Sequence, residues 1–372
     1  MAARLKGRGI RTVAAVTGLA SGGVLEGSCD EIVQGPTWPL ARQDARQRAG
    51  QSSATLNDVL SSAGLADSSA VRELLVAWDD IFSRFRPQLV VADFAPMAAF
   101  AARGRIPLLQ IGNGYTLPPD EMPRFPPLHR KSPPHWNEDD TLSAVNEAAR
   151  SLGLARLERL PQLFSGNLRL VQTFPLLDPY DTQRVEKIDG PLLDREPIER
   201  SAGARTILVY LSGSYEVSEL LLAALAPFGE DLRVYAPGLT SVQRDALTRG
   251  GARVDTNPCP LRDALASARL AVHSGGSGVA SEALAAGVPQ VIVSAQIEQT
   301  LNGQALQQAG LGTLIEAYDP SNQLPFDDIA ATYDNESLAT RALEAGRWHR
   351  EYLLDKRPAL KCEQACLGLL GE

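Results

Sequence analysis

The sequence predicts an α/β protein built of two doubly wound units, each a parallel sheet with helices on both faces. Three observations carry this: 372 residues, enough for about two domains; short apolar β-branched runs alternating with longer amphipathic or alanine-rich stretches; and a break between two such sets. The first set holds "IRTVAAV", "PQLVVADF" and "IPLLQIG", and the second "TILVYLS", "LRVYAP", "LAVHS" and "PQVIVS". Between them "IDGPLLDREPIERSAGAR" carries prolines, glycines and mixed charges with little apolar periodicity, and reads as the linker. The expected division is residues 1–199, residues 200–345, and a C-terminal stretch 346–372 packing back on the first domain.

Along the first domain, "TLPPDEMPRFPPLHRKSPPH" (116–135) has seven prolines, which remove backbone donors and exclude helix or central strand. A loop this long inside a compact domain is either a substrate-contacting lid or a surface excursion. Past residue 335 the sequence reads as helices interrupted at Pro358. No repeat at solenoid periods is present.

Composition narrows the function classes. An apolar share of 44% and a charged share of 22% are those of a folded soluble protein. The net charge of −8 offers no general attraction to nucleic acid or anionic lipid. No uncharged apolar run reaches about 18 residues, and the N-terminus lacks a signal-peptide h-region, so neither a membrane span nor export is expected. Cys29, Cys259, Cys362 and Cys366 are too few and scattered for a disulfide framework. Reduced thiols in a cytoplasmic protein are the expectation, and Cys362 and Cys366, four apart, lack a second ligand pair for zinc.

The stretch "LAVHSGGSGVASEALAAGVPQVIV" (270–293) carries the chemistry. A strand delivers the chain to Ser274, Gly275, Gly276, Ser277 and Gly278, and a helix begins near Val279. Glycines permit close backbone approach, and the first helical turn presents unpaired N–H groups at a positive dipole end. Together they make a seat for phosphate. One use is a dinucleotide site: Gly276-x-Gly278-x-x-Ser281 nearly matches that fingerprint, and Glu298 follows about 20 residues on, but the third glycine is a serine.

A second use absorbs more residues. The block "HSGGSGVASEALAAGVPQVIVSAQIEQTLNGQALQQAGLG" (273–312) resembles, in gapless register, the donor-binding signature of GT-B glycosyltransferases, the family that includes plant and bacterial natural-product glycosyltransferases. The resemblance implies two Rossmann-like domains facing a cleft and inverting transfer of a sugar from a nucleotide diphosphate sugar, with uridine or thymidine as base, to a hydroxyl acceptor. Glu282 would hold the ribose hydroxyls, the backbone from Gly275 to Gly278 the diphosphate, and Glu298 with Gln299 the sugar; Asn302 completes the motif. Otherwise Glu282 is a solvated helix residue and Gln299 an ordinary first-turn residue. "TILVYLSGSY" resembles the strand and turn that open the donor domain, with Ser214 as a phosphate contact or a plain turn residue.

"RPQLVVADFAPMAAFAARGRIPLLQIGNGYTLPP" (86–119) is similar to the family's acceptor domain, and Asp93 matches the Asp that orients a catalytic His in many members. Asp93 reads equally as the N-cap of the helix that follows. Only His129, His135, His273 and His349 exist, and none precedes Asp93. "MAARLKGRGIRTVAAV" resembles the family's first helix end and second strand, so the resemblance implies that the first strand is missing and the chain shortened at its start.

Two further departures touch the donor. The family's diphosphate-binding His falls at Ser274, while His273, whose side chain points to the other side of the strand, reads as a hydrogen-bonded core residue that could swing into the site. A Ser or Thr that often contacts phosphate is Val279, and the Trp on which plant members stack the base is Thr256. Trp38, Tyr115, Phe125 and Trp136 either line an apolar acceptor cleft or belong to the core.

The expectation is therefore a glycosyltransferase with a small-molecule donor and acceptor, no cofactor beyond the nucleotide sugar, no metal and no nucleic acid. A degenerate nucleotide-sugar-binding module is the alternative. An NAD-dependent oxidoreductase and a sugar-nucleotide epimerase are more distant ones. Oligomeric state is left open by the sequence.

Overall fold

The computed structural model describes residues 1–18, 25–38, 53–128, 133–193, 195–211, 217–316 and 327–371. They form two compact units. Unit 1 begins with α1 (Ala2–Lys6), β1 (Val13–Val16), β2 (Glu31–Gln34), α2 (Leu56–Leu60), α3 (Ser68–Phe85), β3 (Val90–Asp93), α4 (Pro96–Ala102), β4 (Leu108–Gly112), α5 (Glu138–Ser151) and β5 (Leu168–Val171). Unit 2 contains β6 (Thr206–Tyr210), α6 (Glu219–Leu225), β7 (Leu232–Tyr235), α7 (Ser241–Arg249), β8 (Arg253–Val254), α8 (Leu261–Ala266), β9 (Ala268–His273), α9 (Ser277–Ala286), β10 (Gln290–Ser294), α10 (Ile297–Gln308), β11 (Gly312–Glu316), α11 (Asp327–Asp334) and α12 (Glu336–Lys356). The chain then returns to unit 1 as α13 (Pro358–Leu370).

The six strands of unit 2 are all parallel, in the order β11-β10-β9-β6-β7-β8. The strand order reverses between β6 and β9, and in such sheets ligands bind outside the carboxyl ends of the strands at that switch. Ile207, Val209, Leu270, Val272 and Val291 are almost wholly buried in one cluster. This is the near-continuous apolar content of strands covered on both faces. Across the sheet, α9 is a helix of small residues whose Ala280, Ala283, Ala285 and Ala286 are buried. The small surface lets α12 come very close: a Cβ on Gly346 would stand 2.6 Å from Gly287 Cα.

In unit 1 the described strands form two separate parallel sheets, β1-β2 and β3-β4-β5. Helix α13 closes the second of these, Cys362 and Cys366 sharing a buried cluster with Leu5, Leu109, Ile111 and Leu170. Burial pushes the Cys362 thiol up to about 11. Glu363 on the same helix receives Arg4 at 2.8 Å and Arg8 at 2.5 Å.

The limits of the two units differ from those read from composition. Residues 190–199 group with unit 2: Gly190 lies against Tyr352 and Leu353, and Glu199 pairs with Arg347 and Arg350. Residues 173–179 also belong there, because Phe174 packs edge-on against His349, ring centroids 4.4 Å apart. Helix α12 therefore stays with unit 2, and the return to unit 1 begins only at Arg357, which takes φ 47 directly before Pro358.

The prolyl loop is packed rather than a bare excursion. Leu117, Pro118, Pro119, Met122 and Phe125 are buried. Two buried guanidiniums hold its start. Arg184 donates to Gly114 O at 3.2 Å and Leu117 O at 3.0 Å, and Arg169 to Pro118 O at 2.7 Å. Glu186 pairs with both arginines, which offsets their burial. His129 and Lys131 fall outside the described residues.

Gly346→Val is expected to destabilise the protein by about 1–3 kcal/mol, since the added atoms meet backbone that cannot rotate away. Urea unfolding curves of the two proteins measure it, and unchanged midpoints would contradict the close α9–α12 approach.

Candidate functional site

The glycine loop leaves β9 at the switch point and is fixed from several sides. His273 is fully buried. Its Nδ1 accepts the Gly275 N–H at 3.0 Å, and its Nε2 lies 2.9 Å from Gln290 Oε1. Accepting at Nδ1 leaves the proton on Nε2, so the ring is neutral and donates to the amide. Burial depresses its pKa to about 4. Gln290 in turn donates from Nε2 to Ala280 O in α9 at 3.3 Å, tying strand, ring and helix together.

Gly275 takes φ +91, and a Cβ there would stand 2.6 Å from Ile292 Cγ2 and 3.0 Å from Gln299 O. No other residue fits both the conformation and the space. From the far side Asn302, itself buried, donates to Gly275 O at 2.9 Å and to Ser277 Oγ at 3.2 Å. Ser277 Oγ donates to Glu298 Oε1 at 2.7 Å.

Helix α9 begins at Ser277, two residues before the expected start, with Gly276 as an N-cap that offers no side chain. The N–H groups of Ser277, Gly278 and Val279 precede the first intrahelical bond, Ala280 N to Gly276 O. They stand as a set of aligned donors at a positive helix end.

The structure thus gathers Ser274, Gly275, Gly276, Ser277, Gly278, Glu298, Gln299 and Asn302 about one loop, but divides their work. Asn302 braces the loop from inside. Gln299 has its side-chain oxygen engaged by Ala295 N–H at 2.8 Å, which fixes the turn by which the chain enters α10. Ser274 is buried, and its hydroxyl makes no hydrogen bond among the described residues. Glu282 lies half-buried on α9, close enough to Tyr210 to act on its hydroxyl electrostatically. Thr256 is exposed in the loop after β8, and Ser214 lies outside the described residues. Glu298 sits in the first turn of α10, not at the end of β10 where a dinucleotide fingerprint places its ribose acid.

Sequence reasoning passed over Tyr210 and Tyr235. They are partners in register on β6 and β7, with ring centroids 5.0 Å apart, at the same carboxyl edge as the loop. Their matching position at two strand ends was the available signal.

In unit 1, Asp93 ends β3. It is not the cap of α4, whose N-cap is Ala95 without a side-chain bond. Asp93 reaches solvent, yet the surrounding protein withholds enough water to raise its carboxyl above the usual range. Its carboxyl makes no hydrogen bond or ion pair among the described residues. Of the aromatics read as cleft or core, Tyr115 and Phe125 are buried, Trp38 is half-buried and Trp136 is 42% exposed.

Comparison with solved structures settles the architecture. The calicheamicin glycosyltransferase superposes with a TM-score of 0.68 over 100% of this chain and 94% of its own, at 17% identity. The fold is that of GT-B glycosyltransferases. The glycotransferase of kitacinnamycin gives 0.65 over 98% of this chain and 93% of its own at 19% identity, and the spinosyn rhamnosyltransferase 0.60 over 94% and 92% at 16%. The family described as erythromycin biosynthesis protein CIII-like, C-terminal domain, matches residues 241–343, which include the whole glycine loop. In sequence, the PGL/p-HBAD biosynthesis rhamnosyltransferase of Mycobacterium bovis (strain BCG / Pasteur 1173P2) is 28% identical over 266 residues, 63% of this chain. Its counterpart in Mycobacterium tuberculosis (strain ATCC 25177 / H37Ra) matches equally, and the alignment spans 58% of the length of each relative. No described helix is long and apolar enough to cross a membrane.

The neutral, buried His273 gives a pH signature. Unfolded, the ring titrates near 6.5, so between pH 6.5 and about 4 the unfolded chain binds the extra proton. Its contribution is complete above pH 6.5 and is lost as pH falls toward 4, about 3 kcal/mol in all. Urea unfolding at pH 7, 5.5 and 4.5 should show a steeper acid loss in wild type than in His273→Gln; equal slopes would count against the buried neutral ring.

Proposed function

We propose that this protein transfers a sugar from a nucleoside diphosphate sugar to the hydroxyl of a small acceptor, with inversion at the anomeric carbon. The observation that carries the reading is the locked glycine loop: Gly275 held in its left-handed conformation by His273 and Asn302, so that free amides at the start of α9 lie at the switch point of a parallel sheet. In this reading those amides receive the diphosphate, and Glu282, near the carboxyl edge of β6, receives the ribose hydroxyls. Glu298, already bonded to Ser277, binds the sugar together with the amide NH2 of Gln299.

The chemistry follows from these positions. The acceptor oxygen attacks the anomeric carbon as the bond from that carbon to the diphosphate oxygen breaks. The nucleoside diphosphate leaves with the electron pair. The aligned N–H groups bear the charge that develops on it, as preorganised dipoles do where negative charge appears in a transition state. The acceptor proton passes to a base, and Asp93, a carboxyl raised by burial at a strand end in unit 1, takes part either by accepting it or by orienting the base. Support for a nucleotide donor also comes from a related fold: the spinosyn rhamnosyltransferase has been solved with thymidine diphosphate, at a TM-score of 0.58 and 16% identity over 92% of this chain and 89% of its own.

A second reading, a nucleotide-sugar-binding module without turnover, is favoured by one observation: the Asp93 carboxyl engages no hydrogen-bond or ion-pair partner among the described residues, so no base is oriented by it there. Turnover decides between the two. The donor site itself is tested by titration calorimetry with uridine and thymidine diphosphates. Glu282→Ala is expected to weaken the preferred nucleotide about 10- to 100-fold, the worth of hydrogen bonds to a charged group. An unchanged affinity would remove Glu282 from the site, and absence of binding in wild type would remove the proposal.

A further inference from the structure

Helix α5 ends in a way that leaves its last basic residue unused. Gly153 takes φ 69, in the left-handed region, and turns the chain back along the helix. The carbonyls at the helix end then find donors locally. Ala148 O accepts the Ser151 hydroxyl at 2.7 Å, Ala149 O accepts the N–H groups of Leu152 and Leu154 at 3.1 and 3.0 Å, and Arg150 O accepts Gly153 N–H at 3.2 Å. A basic side chain in the last turn commonly serves such carbonyls. Here all three already have donors, and the Arg150 side chain makes no hydrogen bond or ion pair among the described residues.

The returning segment is fixed at its far end by Asn146, whose Nδ2 donates to Leu157 O at 2.9 Å and whose Oδ1 accepts Leu157 N–H at 2.7 Å. Leu157 itself is wholly buried. Between the helix and this segment lies a cavity of about 430 Å3, lined by Ser143, Asn146, Arg150, Leu154 and Arg156. Its size is that of a small-molecule site. No carboxylate lines it, the Asn146 amide is engaged by Leu157, and the Ser143 hydroxyl donates to Asp139 O at 2.8 Å. Arg156, like Arg150, is exposed and makes no side-chain hydrogen bond or ion pair among the described residues. The neighbouring Glu158 lies 3.9 Å from Arg159 instead.

In a chain of net charge −8, two arginines on separate segments thus share one cavity without a counter-charge. Guanidiniums only donate, so their complement is a group that only accepts, an anion. One planar fork satisfies a carboxylate. A phosphate monoester presents three terminal oxygens and close to two charges at pH 7, enough for two forks. The cavity is larger than a phosphate group, and Leu154 gives the remainder of a ligand an apolar wall.

We propose that this cleft binds a small organic phosphate, its phosphate between Arg150 and Arg156 and its organic part against Leu154. All the lining residues belong to unit 1, whereas the glycine loop belongs to unit 2. The inference therefore goes beyond the glycosyl-transfer reading and stands without it.

Calorimetry of the full chain in phosphate-free buffer tests it with three probes: phenyl phosphate, inorganic phosphate and benzoate. Phenyl phosphate is expected to bind more tightly than either of the others. Arg150→Ala and Arg156→Ala should each weaken its binding about tenfold, the loss of hydrogen bonds to a charged group. Arg150→Lys, which keeps the charge but not the fork, should fall between wild type and Arg150→Ala. Both arginines are exposed and unbonded, so urea midpoints of the variants should match wild type; Arg150→Gln and Arg156→Gln replace any alanine variant that fails to fold. Unchanged affinity in the variants, the result if the phosphate sits at the start of α9 instead, would overturn the inference, as would no binding by wild type. Benzoate binding as tightly as phenyl phosphate would overturn the phosphate class, and inorganic phosphate binding as tightly would overturn the organic one.

Discussion

The backbone at Gly275 has to turn left-handed in a space where no side chain fits, and unit 2 is arranged around keeping it so. Four residues from three elements converge on it. His273 comes from the strand before and holds its N–H; Asn302 comes from α10 and holds its carbonyl; Ile292 and Gln299 close the space where a Cβ would stand. A loop rich in glycine is otherwise entropically loose. Here the looseness is removed in advance, so a bound anion would meet amides already aligned and need not order them. Both backbone groups of Gly275 are satisfied within the protein. The donors left over are those at the start of the helix.

Unit 1 uses a different device for a related end. Its prolyl loop lacks backbone donors, so ordinary ladder bonds cannot hold it. Instead, guanidiniums approach the carbonyls from the side: Arg184 and Arg169 bind Gly114, Leu117 and Pro118, with Glu186 between them. Charged donors to carbonyls are stronger than neutral ones, and a planar fork can serve two carbonyls at once. A short ordered path from the end of β4 to Phe125 results.

Much of this was readable from the amino-acid sequence, for identifiable reasons. The strands with apolar, β-branched runs announce themselves: β4, β6, β9 and β10 because both faces are covered, and β3 and β7 because every second residue is buried. The strands β2 (EIVQ), β5 (LRLV), β8 (RV) and β11 (GTLIE) do not, being short, partly charged and placed at sheet edges or near them. The glycine loop was legible as a motif because its spacing is local. Its locking was not: Gln290 lies 17 residues from His273 and Asn302 lies 27 from Gly275, and only the sheet register brings them together. The reading of His273 as a hydrogen-bonded core residue agrees with its burial, but alternation along β9 cannot tell what a buried ring will bond. Asp93 could have been a strand end or a cap by sequence. The left-handed Phe94 behind it displaces the cap to Ala95, a geometry no propensity scale contains.

The packing of α13 also bears on how the chain is made. Cys362 and Cys366 complete a cluster whose other members include Leu5, Leu109 and Leu170, and Glu363 pairs with Arg4 and Arg8. The contact between residues 4 and 363 spans 359 positions, whereas every strand of unit 2 lies between residues 206 and 316. On a ribosome, unit 2 can assemble its sheet while the sequence for α13 is still unread; unit 1 must wait, its apolar seam open, until the final helix emerges. Long-range closure of this kind is slow. The half that is translated first is therefore the half that finishes last, and it is during that interval that the protein is most exposed to aggregation or proteolysis.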